Sequence, residues 1–355
     1  MSKKIVHVVG TGTIGEPLIG LLCDFKDQLG IDHVTFHKNT PLTTDRSKVI
    51  SLTKRGARLS TNESKFEGFN EIGLKPEYTT EEAIERASVV IDCTPSGFGH
   101  ENKTKYYTKF LDNTLGFVAQ GSEFGFGKPY ARGINDDTLV KGEDKFVQVV
   151  SCNTHNLSTL VDTIALSEGN DNLLDGRFLL IRRANDVSQS GKFIPAPEVG
   201  SHQDPKYGTH HARDAALLFK TKDLDLPLFS SAMKVNSQYM HLLHFTMKLK
   251  RETTHEEVIS KLEKNDRISL TDKTNSCEVF SFGRDHGHFG RILNQTVLSL
   301  PSLNIRNGTE VTGFCFTPQD GNSLLSSISI AEWFMYPNSY EEKIQCLKPF
   351  FFDEV

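Results

Sequence analysis

The sequence has no long hydrophobic run and no strong excess of charge of one sign. No apolar stretch among its 355 residues approaches the roughly 20 residues that a helix needs to cross a bilayer, so we expect no membrane association. The 40 basic residues face 45 acidic ones, and the formal net charge of -5 argues against a dedicated nucleic-acid partner. The first residues also lack the apolar segment and the cleavage site of a signal peptide.

Cysteines are few and scattered. None of the 6 cysteines forms a CxxC pair, which argues against a structural zinc site and against the disulfide framework of a small secreted protein. We therefore expect reduced thiols, a cytoplasmic protein and no bound metal. The remaining composition, with 37% hydrophobic and 24% charged residues, is that of a soluble globular protein, and the length suggests two domains of about 150 residues each.

Short β-rich runs alternate with helical patterns over the first part of the chain. Strands are predicted at residues 5–9, 33–37, 89–92, 115–119 and 146–150. Helices are predicted after the first strand and at residues 47–59 and 81–87. This alternation predicts an α/β fold that begins with a Rossmann-type, doubly wound parallel sheet. We expect residues 1–151 to form a dinucleotide-binding domain.

The pattern changes after residue 151. Longer strands are predicted at residues 177–184, 228–235, 242–250, 278–283, 292–299 and 310–317. Helices are predicted at residues 156–166, 256–264 and 323–334, and a polar loop region at about 185–211. We expect residues 152–318 to form an α+β catalytic domain with a mixed sheet.

The first predicted strand runs directly into a glycine-rich turn. Gly10, Gly12 and Gly15 form a GxGxxG motif between a strand and a helix. The first glycine permits the tight turn, the second lets the backbone approach a pyrophosphate, and the third lets the helix pack closely on the strand. This context predicts dinucleotide binding. The alternative is a glycine turn of another α/β fold, because the motif alone is weak.

The end of the second strand bears on the choice of cofactor. A carboxylate at that position would bind the ribose 2′-hydroxyl of NAD and repel the 2′-phosphate of NADP. The sequence has His37-Lys38-Asn39-Thr40 there, with no acid at the tip. Lys38 with Thr40 is suited to a phosphate, which favours NADP or use of both cofactors. The alternative is that Lys38 is a solvated loop lysine.

Cys152 lies between the strand at residues 146–150 and a predicted helix. The amides at a helix N-terminus stabilise a thiolate and lower its pKa, and they also stabilise an oxyanion next to the sulfur. We therefore predict a nucleophile, although a cysteine taken at random is more often an inert structural residue. A cysteine nucleophile beside a nicotinamide indicates oxidation of an aldehyde through a thiohemiacetal and a thioester.

A nucleophile of this kind requires a base. His241 and His244 begin an apolar strand candidate, and residues three apart on a strand face opposite sides of the sheet. Only one of them should therefore reach the site, and periodicity gives little preference between them. A histidine at this position is suited to proton exchange with the thiol or the thiohemiacetal.

Cationic groups recur in the second half of the chain. Arg182-Arg183 ends a strand candidate, and Thr209-His210-His211-Ala212-Arg213 follows in the loop region. Together they are suited to a phosphate-bearing substrate. Paired histidines also suggest a metal, but no carboxylate lies at a matching spacing, so we predict none.

In this order along the chain, the motifs resemble archaeal-type (type II) glyceraldehyde-3-phosphate dehydrogenase. The blocks that carry the resemblance are Gly12-Thr13-Ile14-Gly15, Asp92-Cys93-Thr94-Pro95, Gln120-Gly121-Ser122-Glu123, Ser151-Cys152-Asn153-Thr154, Arg182-Arg183-Ala184, His210-His211, Met240-His241, Phe282-Gly283-Arg284-Asp285 and Pro318-Gln319-Asp320. The Ser-Cys-Asn-Thr and Arg-Arg-Ala blocks are the most specific of these.

The resemblance implies a homotetramer that oxidises glyceraldehyde 3-phosphate with NAD or NADP and inorganic phosphate to 1,3-bisphosphoglycerate, reversibly. It implies Cys152 as nucleophile and His241 as base. The substrate contacts that it implies are Ser151, Cys152, Asn153, His210 and His211. The cofactor contacts that it implies are Thr13, Ile14, Gly121, Ser122, Arg183 and Gln319. It also implies that a C-terminal helix, about 319–355, packs back on the dinucleotide domain.

Several residues depart from the family pattern. Ser122 replaces the second glycine of the Gln-Gly-Gly turn, and Arg213 adds a charge to the expected phosphate region. The chain also carries insertions near residues 45–55 and 185–207. These departures leave open a related semialdehyde or acyl-phosphate dehydrogenase with the same thioester chemistry. A dinucleotide-binding sensor without catalysis is a third interpretation, and it would need neither Cys152 nor His241.

Overall fold

A computed structural model describes residues 3–121, 123–186, 191, 193–318 and 320–355. Its internal contacts divide the chain into two units. The first unit comprises Met1–Lys128, Leu139–Val149 and Leu324–Lys348. The second unit comprises Pro129–Thr138, Val150–Ser323 and Pro349–Val355.

The first sheet is built from short strands rich in Val, Ile and Phe. The strands are β1 (Ile5–Val9), β2 (His33–His37), β3 (Arg58–Thr61), β4 (Tyr78–Thr79), β5 (Val89–Asp92), β6 (Gly116–Gln120), β7 (Lys128–Tyr130) and β8 (Phe146–Val149). Their order is β4-β3-β2-β1-β5-β6-β8-β7, and β1 pairs in parallel with both β2 and β5. All residues of β1 and β5 are buried, as expected for central strands covered on both faces. The predicted Rossmann-type parallel sheet is confirmed.

Helices follow the strands of the first sheet, as a doubly wound fold requires. They are α1 (Gly15–Asp24), α2 (Lys26–Leu29), α3 (Arg46–Lys54), α4 (Phe66–Glu71), α5 (Thr80–Glu85) and α6 (Phe98–Lys105). Helix α1 starts at the last glycine of the GxGxxG motif and buries almost all of its residues from Pro17 to Cys23. The glycine-rich turn is therefore fixed between a buried strand and a buried helix.

The second sheet is mixed, which confirms that part of the predicted fold. Its strands are β9 (Leu173–Arg182), β10 (Glu198–Val199), β11 (Leu228–Lys234), β12 (His241–Leu249), β13 (Ile268–Thr271), β14 (Thr296–Ser299), β15 (Asn304–Arg306) and β16 (Glu310–Thr317). The order is β10-β11-β9-β12-β16-β14-β13, with β15 paired to β16. Strand β9 is parallel to β11 and antiparallel to β12. Buried and half-buried residues alternate along β12, so the two faces of this strand have different surroundings.

The remaining helices are α7 (Cys152–Leu160), α8 (His210–Lys220), α9 (His255–Glu263), α10 (Ser276–His286), α11 (Gly321–Met335) and α12 (Tyr340–Lys343). Helix α7 continues into a π-helical turn, Val161–Leu166. The apolar core of the second unit includes Leu157, Leu160, Phe178, Leu243 and Phe245. This core holds α7 and the strands β9 and β12 together.

Three predicted elements are wrong in part. Residues 278–283 form helix α10 and not a strand, since its buried residues Val279 and Gly283 are one helical turn apart. The polar region near 185–211 ends where α8 begins, at His210. The helix predicted for residues 47–59 ends at Lys54, and β3 follows from Arg58.

Within the described ranges, no helix combines the length and the apolar character needed to cross a membrane.

Candidate active site

The glycine-rich turn leaves space where a dinucleotide backbone is expected to bind. Gly10 has φ +98°, and a Cβ there would lie 3.1 Å from the carbonyl oxygen of Cys93. A Cβ on Gly15 would collide with the carbonyl oxygen of Gly10, so only glycine permits this approach of helix to strand. A Cβ on Gly12 would meet no atom within 4 Å. The residues therefore fit a pyrophosphate, with open space at the second glycine. Thr13 and Ile14 are half-buried beside it.

The turn that follows β5 is fixed by one buried carboxylate. Asp92 accepts hydrogen bonds from the Tyr107 hydroxyl at 2.5 Å, from Asn102 Nδ2 at 2.8 Å and from the Thr94 amide at 2.9 Å. Asp92 is 2% exposed. This network holds the Cys93 carbonyl against the glycine turn, and the sequence motif alone did not reveal it.

Lys38 is not a solvated lysine, because its ammonium group is paired with a carboxylate. Its side chain is 10% exposed, and its Nζ lies 2.5 Å from Asp45 Oδ2. The expectation that no acid lies at the tip of β2 is therefore wrong, because the Thr43–Asp45 turn brings Asp45 back to Lys38. Thr40 is exposed.

Of the other predicted cofactor contacts, the structure describes Gly121 and Arg183. Gly121 has φ +68°, and its amide donates to the Val149 carbonyl at 2.8 Å, which fixes the turn after β6. Ser122 and Gln319 lie outside the described residues. Arg183, predicted from the resemblance as a cofactor contact, lies in the second unit directly after β9 and is 3% exposed.

Cys152 is the first residue of α7. The N-cap is Ser151, whose Oγ accepts a hydrogen bond from the Thr154 amide at 3.3 Å. The Cys152 carbonyl accepts from Asn322 Nδ2 at 2.9 Å, and Asn153 Oδ1 accepts from the Thr317 hydroxyl at 3.1 Å. The side chains of Ser151 and Asn153 thus hold the cysteine in place, and contact of these two residues with substrate stays a prediction.

The resting thiol is not activated as the sequence predicts. Burial raises the pKa of Cys152 to about 12, and the charge of Asp320 raises it further, while Arg183 lowers it. The expectation that the helix N-terminus gives a lowered pKa is therefore wrong. Desolvation of the thiolate outweighs the favourable charges around it.

We expect this raised pKa to be visible in the alkylation of Cys152. Between about pH 7 and about pH 10, the rate with iodoacetamide should rise about tenfold per pH unit without a plateau, because the thiolate fraction follows the pH below the pKa. Asp320→Asn should increase the rate several-fold at pH 8, since it removes a charge that raises the pKa. Asp285→Asn, an exposed carboxylate paired with Arg284, is the matched control. A plateau near pH 8.5, the value for an ordinary thiol, would contradict this result.

Asp320 is a site residue that the sequence did not single out for this role. It is 7% exposed, it has φ +55°, and its Oδ2 is buried without a hydrogen-bond partner in the described part of the chain. Burial raises the pKa of this carboxyl, while the nearby Arg183 and Arg291 lower it. The charge of Asp320 therefore adds to the effect of burial in keeping the Cys152 thiol protonated.

His241 is the first residue of β12 and is 6% exposed. The backbone amide of Arg183 donates to its Nδ1 at 3.0 Å, so the neutral ring carries its proton on Nε2. Burial lowers the pKa of His241 well below its usual value, and the charges of Arg183 and Arg182 lower it further. The ring is therefore neutral at pH 7. In this state its Nε2–H donates, and action as a base at Nε2 requires the other tautomer.

His244 faces the other side of the sheet, as predicted for a residue three positions along a strand. Its Nε2 lies 3.2 Å from the Thr312 hydroxyl, and its ring packs on Phe314 with centroids 4.7 Å apart. It is half-buried, whereas His241 is buried. The two candidate bases, His241 and His244, therefore lie on opposite faces of β12.

His210 and His211 begin α8, with ring centroids 3.9 Å apart. Burial lowers the pKa of His210 to about 4, and the charge of Arg182 lowers it further. His211 also has a pKa well below its usual value because of burial, with His241 among the nearby groups that lower it. His241, His210 and His211 therefore share one positively charged environment. Arg213 instead pairs with Asp214 at 2.8 Å.

The fold and these residues together define a class of protein. A parallel sheet that opens on a dinucleotide-type glycine turn, together with a unit that carries a helix-borne cysteine among histidines and arginines, is the architecture of a dinucleotide-dependent oxidoreductase.

Comparison with known proteins gives a more specific similarity. The chain is 26% identical over 310 residues to glyceraldehyde-3-phosphate dehydrogenase of Pyrobaculum islandicum, covering 85% of this chain and 83% of the relative. It is 28% identical over 289 residues to glyceraldehyde-3-phosphate dehydrogenase 2 of Methanosarcina acetivorans, covering 80% of each chain. It is 27% identical over 294 residues to the enzyme of the same name from Archaeoglobus fulgidus, covering 80% and 79%.

These relatives confirm the resemblance drawn from the motifs and the expected type of enzyme, an oxidoreductase similar to archaeal glyceraldehyde-3-phosphate dehydrogenases. No protein-family profile matches the chain.

Proposed function

We propose that this protein oxidises glyceraldehyde 3-phosphate, with inorganic phosphate and NAD or NADP, to 1,3-bisphosphoglycerate, and that it also catalyses the reverse reaction. The observation that carries the proposal is Cys152 at the first residue of α7, within reach of the charges of Arg182, Arg183 and Asp320. The named relatives support the choice of substrate.

The proposed reaction begins with addition of the Cys152 sulfur to the aldehyde carbon. A carbon–sulfur bond forms as the carbon–oxygen π bond breaks, and the proton that leaves the sulfur ends on the carbonyl oxygen, so the product is a neutral thiohemiacetal. His241, with its Nε2–H, is suited to donate to that oxygen, and the free amides at the start of α7 are suited to stabilise the negative charge that develops on it during the addition. The buried, largely protonated sulfur requires that the proton leave as the bond forms.

Oxidation converts the thiohemiacetal into a thioester on Cys152: the carbon loses a hydride, and the hydroxyl loses its proton to the base, the role predicted for His241. A bound nicotinamide dinucleotide supplies this chemistry by accepting a hydride. The turn at Gly10 to Gly15 and the lysine at position 38 are the residues that would hold the dinucleotide. An oxygen of inorganic phosphate then attacks the thioester carbon, the carbon–sulfur bond breaks, and the sulfur is available again.

The substrate phosphate is proposed to bind near His210, His211 and Arg182. Burial lowers the pKa of both histidines, that of His210 to about 4, and the charge of the nearby Arg182 lowers both pKa values further. Neutral histidines donate hydrogen bonds to an anion without carrying charge, while Arg182 supplies the charge. Pairing with Asp214 removes Arg213 from this role in the ligand-free protein.

The test is an assay of purified protein with glyceraldehyde 3-phosphate, phosphate and each cofactor in turn. Reduction of the cofactor that depends on both the aldehyde and phosphate is the expected result. Activity with a semialdehyde but not with glyceraldehyde 3-phosphate would favour the alternative enzyme of the same chemistry. Absence of any aldehyde-dependent reduction, with intact dinucleotide binding, would favour a sensor.

Lys38→Ala is expected to weaken NADP binding by about 10- to 100-fold and to leave NAD nearly unchanged. The reason is that a charge-assisted hydrogen bond to a partly buried phosphate contributes roughly 1.5–3 kcal/mol, while the NAD ribose carries no phosphate. Dissociation constants for both cofactors check this. Lys54→Ala, at an exposed lysine on α3, is the control. Equal weakening of both cofactors would exclude Lys38 as the phosphate contact.

We also propose a homotetramer in a reducing, cytoplasmic compartment. The face of the second sheet opposite its core carries half-buried Leu179 and Ile181, with Phe314 39% exposed. An apolar sheet face of this kind is suited to a second copy of the chain. Light scattering on the purified protein measures the assembly state. The cysteines are free thiols, which supports the compartment.

A further inference from the structure

Four charged side chains form a cluster beside the glycine-rich turn. Asp45 bridges two lysines: its Oδ2 lies 2.5 Å from Lys38 Nζ, and its Oδ1 lies 3.5 Å from Lys48 Nζ. Lys48 also lies 3.6 Å from Glu16 Oε2. The Lys48 ammonium donates to the Thr11 carbonyl at 3.2 Å, which places it on the turn itself. We call Lys38, Asp45, Lys48 and Glu16 the charge cluster.

We propose that Asp45 is the residue that determines the choice between NAD and NADP, and that Lys48 is a second contact for the 2′-phosphate. This inference rests on the proposed function and adds to it the residues that select the cofactor. The carboxylate of Asp45 lies between two ammonium groups, at the position that we assign to the 2′-phosphate.

The charges of the cluster balance as it stands. Two ammonium groups face two carboxylates, and their side chains are only 10–28% exposed. The hydrogen bond from Lys38 keeps the pKa of Asp45 below its usual value, so this carboxyl is ionised at neutral pH. A phosphate monoester adds about -1.5 to -2 charge at pH 7, and the cluster offers net positive charge to offset part of it only if Asp45 moves away from the lysines.

NAD places a different demand on the same residues. A ribose 2′-hydroxyl is neutral and donates one hydrogen bond, and a carboxylate has about four acceptor positions, of which the two lysines use only some. Asp45 is therefore suited to accept the hydroxyl without breaking its pairing. With Asp45 paired to both lysines, the charge cluster favours NAD. It binds NADP only after Asp45 has moved away from the lysines.

Asp45 has room to move. It ends the short Thr43–Asp45 turn, in which Thr43 and Thr44 are exposed, and its own side chain is 26% exposed. Lys48 is on α3, packed through Val49 and Leu52, so its position is fixed more firmly than that of Asp45. Exchange of one anion for another is thus expected to involve the turn and not the helix.

Dissociation constants of NAD and NADP for the full-length protein test the inference. Asp45→Asn should tighten NADP about 10-fold and weaken NAD about 3-fold, since the competing anion and the acceptor for the hydroxyl are both lost. Lys48→Met should weaken NADP about 10-fold with little effect on NAD, and Lys48→Arg should retain NADP. Asp27→Asn is the matched control, because Asp27 lies beyond the far end of α1 in an exposed pair with Lys26.

The outcomes separate the two proposals. If the wild-type protein binds neither dinucleotide, the proposed function fails, and the inference fails with it. If the wild type binds both but Asp45→Asn leaves the ratio of the two constants unchanged, only the assignment of Asp45 is overturned. If Asp45→Asn unfolds the protein, the variants Lys48→Met and Lys48→Arg provide the test. An equal loss of affinity for both cofactors in Lys48→Met overturns the assignment of Lys48.

Discussion

Cys152→Ser is expected to reduce aldehyde oxidation by several orders of magnitude while leaving the dissociation constants of NAD and NADP unchanged. A serine hydroxyl is a far poorer nucleophile than a thiol near neutral pH, so the step that forms the covalent bond is lost. The proposed cofactor residues lie on the glycine turn and after β2, and the substitution alters none of them.

The reaction rate and the binding constants must be measured on the same preparation. Cys315→Ser is a useful comparison, since Cys315 is buried in the core and its Sγ lies 3.2 Å from Asn156 Oδ1. A structural cysteine changes stability more than turnover. Retention of most of the wild-type rate by Cys152→Ser, or inactivation by iodoacetamide without label on Cys152, would exclude it as the nucleophile.

His241→Ala is expected to lower turnover by roughly 10²- to 10⁴-fold, with little change in cofactor affinity. The loss follows from removal of the buried ring that faces the core side of β12. His244→Ala is the control, because His244 lies on the other face of the strand against Phe314. Equal loss from both variants, or loss from His244→Ala alone, would contradict the assignment.

A third variant separates two roles of His241. The Arg183 amide donates to Nδ1, so the ring starts the reaction as a donor at Nε2. His241→Gln retains a donor but cannot act as a base near pH 7. Recovery of a large part of turnover in His241→Gln would support donation to the oxyanion and contradict the predicted base. Turnover as low as in His241→Ala would support the base.

The sequence predicted the strands of both sheets where local patterns and packing agree. In β1 and β5 every residue is apolar or buried, and their bounds are nearly as expected. Helix α10 was mistaken for a strand because Val279, Phe280 and Phe282 are β-favouring side chains. The Asn275 side chain accepts from the Cys277 amide at 2.9 Å, and this cap, with Val279 and Gly283 buried on one face, produces a helix instead.

The glycine turn and the position of Cys152 could be predicted because each depends on residues adjacent in sequence. The thiol pKa could not, since it depends first on burial in the folded protein and then on the charge of Asp320, which is 168 positions further along the chain. Nor could the pairing of Lys38 with Asp45, because a three-residue turn brings the carboxylate back to the strand end. The sequence pattern shows which residue types are adjacent along the chain. The packing of the folded chain determines their pKa values and their ion-pair partners.

The measurement that tests the central claim most directly is peptide mapping by mass spectrometry of the protein after reaction with glyceraldehyde 3-phosphate and oxidised cofactor, without phosphate. We expect one acyl adduct, on Cys152, that disappears when phosphate is added. Cofactor reduction without any adduct on Cys152, or an adduct confined to another cysteine such as Cys93, would contradict the proposed thioester mechanism.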